Sequence, residues 1–215
     1  IGGQFNMAKI IPGKEEFHET LRYFDKMLKK YKVELKLNTV FDPSLASQYD
    51  KVVIATGIIP RLPDIEGINH SKVYNYIDVL KGNVKVGKSV ALIGAGGIGF
   101  DVAEFLSHQG ELTSKETKLF MEEWGVDMSF IARGGIEGIK SNISKSKRQI
   151  FLFQRKSGKV GANLGKTTGW IHRFSLRNKD VKMINGVSYS HIDDKGLHYR
   201  KNNQDKVLDV ENIVI

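Results

Sequence analysis

Gly94, Gly96 and Gly99 are spaced as G-x-G-x-x-G, and their surroundings turn a common glycine pattern into a chemical statement. The apolar run Val90–Ile93 precedes them and reads as a buried strand. The helical pattern Val102, Ala103, Phe105, Leu106 follows them. Strand, glycine loop and helix in that order are what the pyrophosphate of a dinucleotide needs. Gly94 permits the tight turn, Gly96 lets a phosphate approach the backbone, and Gly99 lets the helix sit close to the strand. The helix start, with Gly97 and Ile98, offers free N–H groups and a partial positive charge.

The next informative pair is Arg155 and Lys156, directly after the second strand of the same unit. An NAD-specific unit tends to carry an acid there for the ribose hydroxyls, whereas cations there suit a 2′-phosphate. Arg155 is the stronger candidate, because its planar fork matches phosphate. The expected ligand is therefore NADP(H). Lys166 and Arg173 flank a basic helix start and are further candidates for nucleotide contact. Gly165-Lys166-Thr167 resembles the tail of a Walker A loop, but the leading glycine is missing at Val160 and no strand leads into it, which excludes an ATPase. His172 and Trp170, two apart on one helix, face different ways, and no residue is assigned as catalytic. The six histidines show no metal-ligand spacing, so no metal site is expected.

The elements that must position these residues follow from periodicity. Phe17, Leu21, Phe24, Leu28 and Tyr31 predict a helix over 14–31, and short strands are expected over 33–37 and 51–55. The glycine-loop strand and its helix (97–108) come next. Residues 110–147 then form an insertion, part helix (114–124) and part Gly-, Ser- and Lys-rich loop. A strand at 149–154, a helix near 166–178, and strands at 181–184, 186–192, 196–201, 206–209 and 212–215 complete the chain. Residues 50–54 echo 211–215, as though each closed its own nucleotide-binding unit.

Composition sets the outer limits. The 215 residues are 27% charged and 40% hydrophobic, as in ordinary globular chains. There is no cysteine, which removes disulfides, thiolate chemistry and Cys-ligated clusters from this chain. No apolar run reaches the roughly 20 residues of a membrane span, and no signal peptide is visible. The expectation is a cytoplasmic protein without a membrane partner. The net charge is +9, and residues 133–173 hold ten Lys/Arg against the single acid Glu137. That field attracts phosphates. The basic residues are not interleaved with aromatics, and no base-reading motif is present, so nucleic acid is not an expected partner. A first residue Ile1 and a last strand ending at Ile215 suggest a piece of a longer chain.

Together, Gly2-Gly3-Gln4-Phe5-Asn6, Ala55-Thr56-Gly57-Ile58-Ile59-Pro60-Arg61, the loop Gly94–Asp101 and Gly165-Lys166-Thr167-Thr168-Gly169-Trp170-Ile171-His172-Arg173 resemble the C-terminal reductase half of bacterial NADPH-dependent 2,4-dienoyl-CoA reductases. The A-T-G-x-x-P-R and glycine motifs mark the wider two-dinucleotide flavoproteins; the G-K-T-T-G-W-I-H-R block and the insertion are more particular. The resemblance implies a parent with an FMN-bearing barrel, a 4Fe-4S cluster, and an FAD- and NADPH-binding half to which this chain belongs. Hydride would pass from NADPH to FAD, and the electrons on to an unsaturated acyl-CoA at the barrel. It also implies that Ala55, Thr56, Gly57 and Gln4 lie near FAD. Asp101 falls where related reductases often carry Glu near the nicotinamide, and its shorter side chain leaves that role open.

The expected fold class is α/β, a Rossmann-like NAD(P)-binding domain inserted in an incomplete FAD-binding domain. The expected boundaries are 1–84 for the partial FAD domain, 85–211 for the NADP domain, and 212–215 for the start of a return to the FAD domain. Alternatives are a segment of another barrel-linked flavoprotein, an enoate reductase or amine dehydrogenase relative, or a non-catalytic dinucleotide-binding module.

Overall fold

A computed structural model describes residues 1–215. In chain order its elements are helices α1 (Phe5–Ala8) and α2 (Phe17–Lys30), strand β1 (Val73–Tyr74), helix α3 (Tyr76–Lys81), strand β2 (Ser89–Ile93), helices α4 (Gly97–Ser107) and α5 (Thr117–Trp124), strand β3 (Gln149–Phe153), helix α6 (Gly169–Asn178), and strands β4 (Lys182–Ile184), β5 (Val187–Asp193), β6 (Gly196–Lys201), β7 (Gln204–Leu208) and β8 (Asn212–Val214).

Five strands form a parallel sheet in the order β1-β8-β2-β3-β4. Parallel strands need both faces covered, which is why Val90, Ala91 and Leu92 form an unbroken buried run instead of alternating. One face packs on α3, α4 and α6 through Leu80, Phe100, Val102, Leu106 and Leu176. The other face carries Ala91, Phe153 and Ile213, and is covered by the antiparallel meander β5-β6-β7 through Val187, Ile192 and Leu197. The chain leaves β2 toward β3 and β4 on one side, while β8 and β1 lie on the other. That reversal opens a crevice at the carboxyl ends of the central strands, where open α/β sheets receive ligands.

The glycine loop meets its steric reading. Gly94 has φ +111°, a conformation that side chains rarely tolerate. A Cβ on Gly99 would lie 1.8 Å from the Gly94 carbonyl oxygen and 3.4 Å from Leu152 Cδ1, so only glycine lets α4 approach this closely.

Several expectations need correction. Residues 33–37 and 51–55 form no strand; both are exposed and lack a paired neighbour. Residues 212–215 do not leave the nucleotide unit. Within them, β8 sits between β1 and β2 inside the five-stranded sheet. β1, which belongs to the 1–84 segment, also joins that sheet, so the boundary at 84/85 does not separate two cores. Helix α6 starts at Gly169 and not near 166, because residues 165–168 make a turn closed by the Gly169 N–H on the Gly165 carbonyl. The short elements α1, β1 and α3 carried too little periodicity to read.

The insertion is anchored. Trp124 at the end of α5 stacks on Phe174 of α6 with ring centroids 5.6 Å apart. Asp127 accepts hydrogen bonds from the backbone N–H groups of Ser129, Ile131 and Ala132 and from the Ser129 hydroxyl, which hold its carboxyl down at about 2. Lys179, the residue that caps the C-terminus of α6, forms a buried ion pair with Glu104 of α4, shared with the Ser175 hydroxyl.

Candidate dinucleotide-binding groove

At the carboxyl ends of β2 and β3 lies an open groove of about 1150 Å³. Its floor is the loop Gly94, Ala95, Gly96, Gly97, Ile98 and Gly99. Gly96 caps α4 in an extended conformation, and the Phe100 N–H makes the first bond of the helix, to the Gly96 carbonyl. The N–H groups of Gly97, Ile98 and Gly99 are left without a backbone partner. A Cβ added to Gly96 or Gly97 would meet nothing within 4 Å. The two glycines therefore leave a bare backbone surface facing open space, beside unpaired donors at the positive end of an eleven-residue helix. This donor set fits a pyrophosphate.

One wall follows β3. Arg155, Lys156, Ser157 and Lys159 line the groove, and none of these cations makes an ion pair. With Arg61 they set four positive charges against Asp64. The loop holding them is shaped by Gln154, whose amide N–H donates to the Lys156 carbonyl while its carbonyl accepts from the Gly161 N–H at 3.1 Å. Asn185 donates to the Gly158 carbonyl from the far side. The opposite wall is the start of β5. There the Tyr189 hydroxyl is buried without a hydrogen-bond partner, and burial pushes its pKa up while the nearby Arg155 charge opposes the rise.

The structure thus gathers Gly94, Gly96, Gly97, Ile98, Gly99, Arg155 and Lys156 around one groove. It does not bring the remaining candidates there. Asp101 points away, into an ion pair with Lys14 at 2.7 Å that ties the N-terminal segment to α4. Arg173 donates to the Gly161 carbonyl at 2.8 Å and braces the β3–α6 connection. Lys166 is exposed on the turn before α6, outside the groove lining. Ala55, Thr56 and Gly57 lie in an exposed segment without regular structure just before Ile58–Arg61, which do line it, and Gln4 precedes α1. Gln154, Lys159 and Tyr189 were missed. Lys159 was visible only as part of a basic stretch, and the other two signal nothing without the fold.

Comparison with known proteins decides the family. Residues 4–215 match the pyridine nucleotide-disulphide oxidoreductase family. The chain belongs to it. Members bind FAD and NAD(P). A metal reductase of Desulforamulus reducens is 25% identical over 223 residues, covering 100% of the chain and 32% of the relative. A bilirubin reductase of Mediterraneibacter gnavus is 34% identical over 112 residues, covering 51% of the chain and 18% of the relative. Among solved structures, a 2-naphthoyl-CoA reductase in complex with 2-naphthoyl-CoA superposes with a TM-score of 0.73 at 24% identity, covering 100% of the chain and 27% of that protein. The last similarity concerns the fold. The chain spans about a third or less of each of these proteins. No helix is long and apolar enough to cross a membrane.

Proposed function

We propose that this chain is the nicotinamide-nucleotide-accepting portion of a larger flavin-dependent reductase, with a preference for NADPH. The observation that carries the proposal is the meeting of two independent signals at one groove, the bare glycine turn at α4 and the unpaired cations Arg155, Lys156 and Lys159 across from it. In this reading the N–H groups of Gly97, Ile98 and Gly99 hold the pyrophosphate, and Arg155 with Lys156 holds the 2′-phosphate. Tyr189 backs the β5 wall of the groove behind the nucleotide. The bound nucleotide supplies hydride to FAD; the share of this chain is positioning and electrostatics. The part of the chain that precedes β1 is proposed as part of the flavin domain, with Ala55, Thr56, Gly57 and Gln4 on the flavin side.

The electron acceptor in this proposal is an unsaturated acyl-CoA, reduced at an FMN site reached through a 4Fe-4S cluster, as the dienoyl-CoA reductase resemblance implies. The likeness in fold to a 2-naphthoyl-CoA reductase supports an acyl-CoA acceptor. The bilirubin reductase relative supports a neighbouring reading, reduction of another conjugated molecule by the same electron-supplying unit.

The test is titration of the full protein with NADPH and NADH, before and after Arg155→Gln and Lys156→Gln are combined. Loss of a charge-assisted phosphate contact is worth roughly 1.5–3 kcal/mol, or about ten- to a hundredfold in NADPH affinity. NADH binding should hardly change. Equal weakening of both nucleotides would remove the 2′-phosphate assignment.

A further inference from the structure

The meander carries a cluster that the groove does not use. β5 and β6 pair in register at Tyr189 with Tyr199 and again at Ile192 with Leu197, so β5 holds one residue more than β6 between those pairs. This is a β-bulge at Ser190–His191. Bulges re-aim side chains. Tyr189 and Tyr199 point inward and pack edge-on against Phe153, at centroid distances of 6.3 and 5.1 Å. His191 is turned to the outer face, where its ring stacks on that of His198 at 3.9 Å with 17° between the planes. Asp193, at the end of the same strand, places one carboxylate oxygen 2.8 Å from His198 Nε2 and the other 3.8 Å from His191 Nε2.

We propose that His191, Asp193 and His198 form a site for a divalent late first-row cation, with Zn²⁺ as its representative. One donor atom from each residue lies within 4.8 Å of the others, close to the spread that a single cation with ligand bonds of about 2 Å requires. Two imidazoles and one carboxylate favour zinc, nickel or copper over calcium and magnesium, which take oxygen ligands. The supporting contacts also fit. The Ser190 hydroxyl lies 3.0 Å from His191 Nδ1, which fixes the ring and leaves Nε2 for the cation. The Lys195 N–H donates to Asp193 Oδ1 at 2.8 Å and orients the carboxylate, with Oδ2 toward His191. The three side chains are 17–41% exposed, so water fills the remaining coordination positions. Binding replaces the His198–Asp193 hydrogen bond, with His198 in the tautomer that leaves the Nε2 lone pair to the cation.

The site has a structural consequence. A cation on these ligands clamps the bulge, and the Glu66–His191 bridge ties that bulge to the segment following Ile58–Ile65 at the groove. Val187, Ser188 and Tyr189 of the same strand form the opposite wall of the groove.

The experiment is calorimetric titration of the untagged, metal-stripped protein with zinc chloride, followed by electron paramagnetic resonance after one equivalent of Cu²⁺. The expected result is one zinc equivalent per chain, a rise in melting temperature on zinc addition, and copper hyperfine couplings from two imidazole nitrogens. His191→Gln and His198→Gln should each weaken zinc at least tenfold and remove one nitrogen coupling. Asp193→Asn, which keeps the shape of the hairpin, should weaken zinc while leaving both nitrogens. His70→Gln, at the separate His70–Asp194 pair, should change neither readout. The proposal is overturned if zinc does not bind at micromolar concentrations, or if the affinity and couplings survive in the His191→Gln/His198→Gln double variant.

Discussion

Residues 50–54 and 211–215 carry nearly the same apolar pattern, and the molecule treats them in opposite ways. In the later segment Ile213 is fully buried and Val214 is 3% exposed, because β8 is hydrogen-bonded between β1 and β2. In the earlier one Val53 is 86% exposed and Ile54 is 84% exposed, with no strand on either side. The contrast extends beyond these ten residues. The glycine-loop unit has both faces of its sheet covered, whereas α2, despite its clear apolar stripe, buries no residue completely. An apolar pentapeptide becomes a strand only where neighbours complete its backbone hydrogen bonds.

The comparison is most exposed to test at the buried ion pair. Glu104→Ala leaves the Lys179 ammonium in a site where its side chain is 6% exposed. The expected loss is about 3–5 kcal/mol of unfolding free energy by urea denaturation, and a joint Glu104→Met/Lys179→Met change should recover much of it. A loss under about 1 kcal/mol would mean that water reaches the Lys179 site and that the packing between α4 and α6 is loose.

The echo segments give the direct contrast. Ile213→Ala should cost about 2–5 kcal/mol, while Ile54→Ala should stay within about 0.5 kcal/mol. Equal costs would show that residues 51–55 are packed in solution, and the contrast would fail.

Within the packed half, the two glycines of the turn separate stability from binding. Gly99→Ala drives a methyl into the Gly94 carbonyl and should destabilise by about 1–3 kcal/mol. Gly96→Val meets open space, so the melting temperature should hold while NADPH affinity falls roughly a hundredfold, about 2.7 kcal/mol. Unchanged affinity in a folded Gly96→Val protein would remove the pyrophosphate assignment.

The smallest effect is expected where the two regions touch. Lys14 and Asp101 are both partly solvated, so Asp101→Ala should cost less than about 1 kcal/mol. NADPH affinity should not move. A clear drop in affinity would return Asp101 to the cofactor and take it from the junction.

What the sequence determined by itself is local. The turn between β2 and α4 was legible because the steric roles of Gly94 and Gly99 are set among near neighbours. Arg155 and Lys156 were legible because they directly follow an apolar strand. The helices at 17–30 and 97–107 declared themselves by periodicity. The tertiary structure decided everything that depends on a partner distant along the chain. It chose β8 over residues 51–55 as a strand, since pairing needs an open neighbour and not only a pattern. It divided the basic stretch, turning Arg148 and Arg173 to backbone carbonyls while Arg155, Lys156 and Lys159 face the groove. It also brought His191 beside His198. Seven positions apart, those residues have no metal-binding spacing until a hairpin folds one strand onto the other and a bulge turns both rings to the same face.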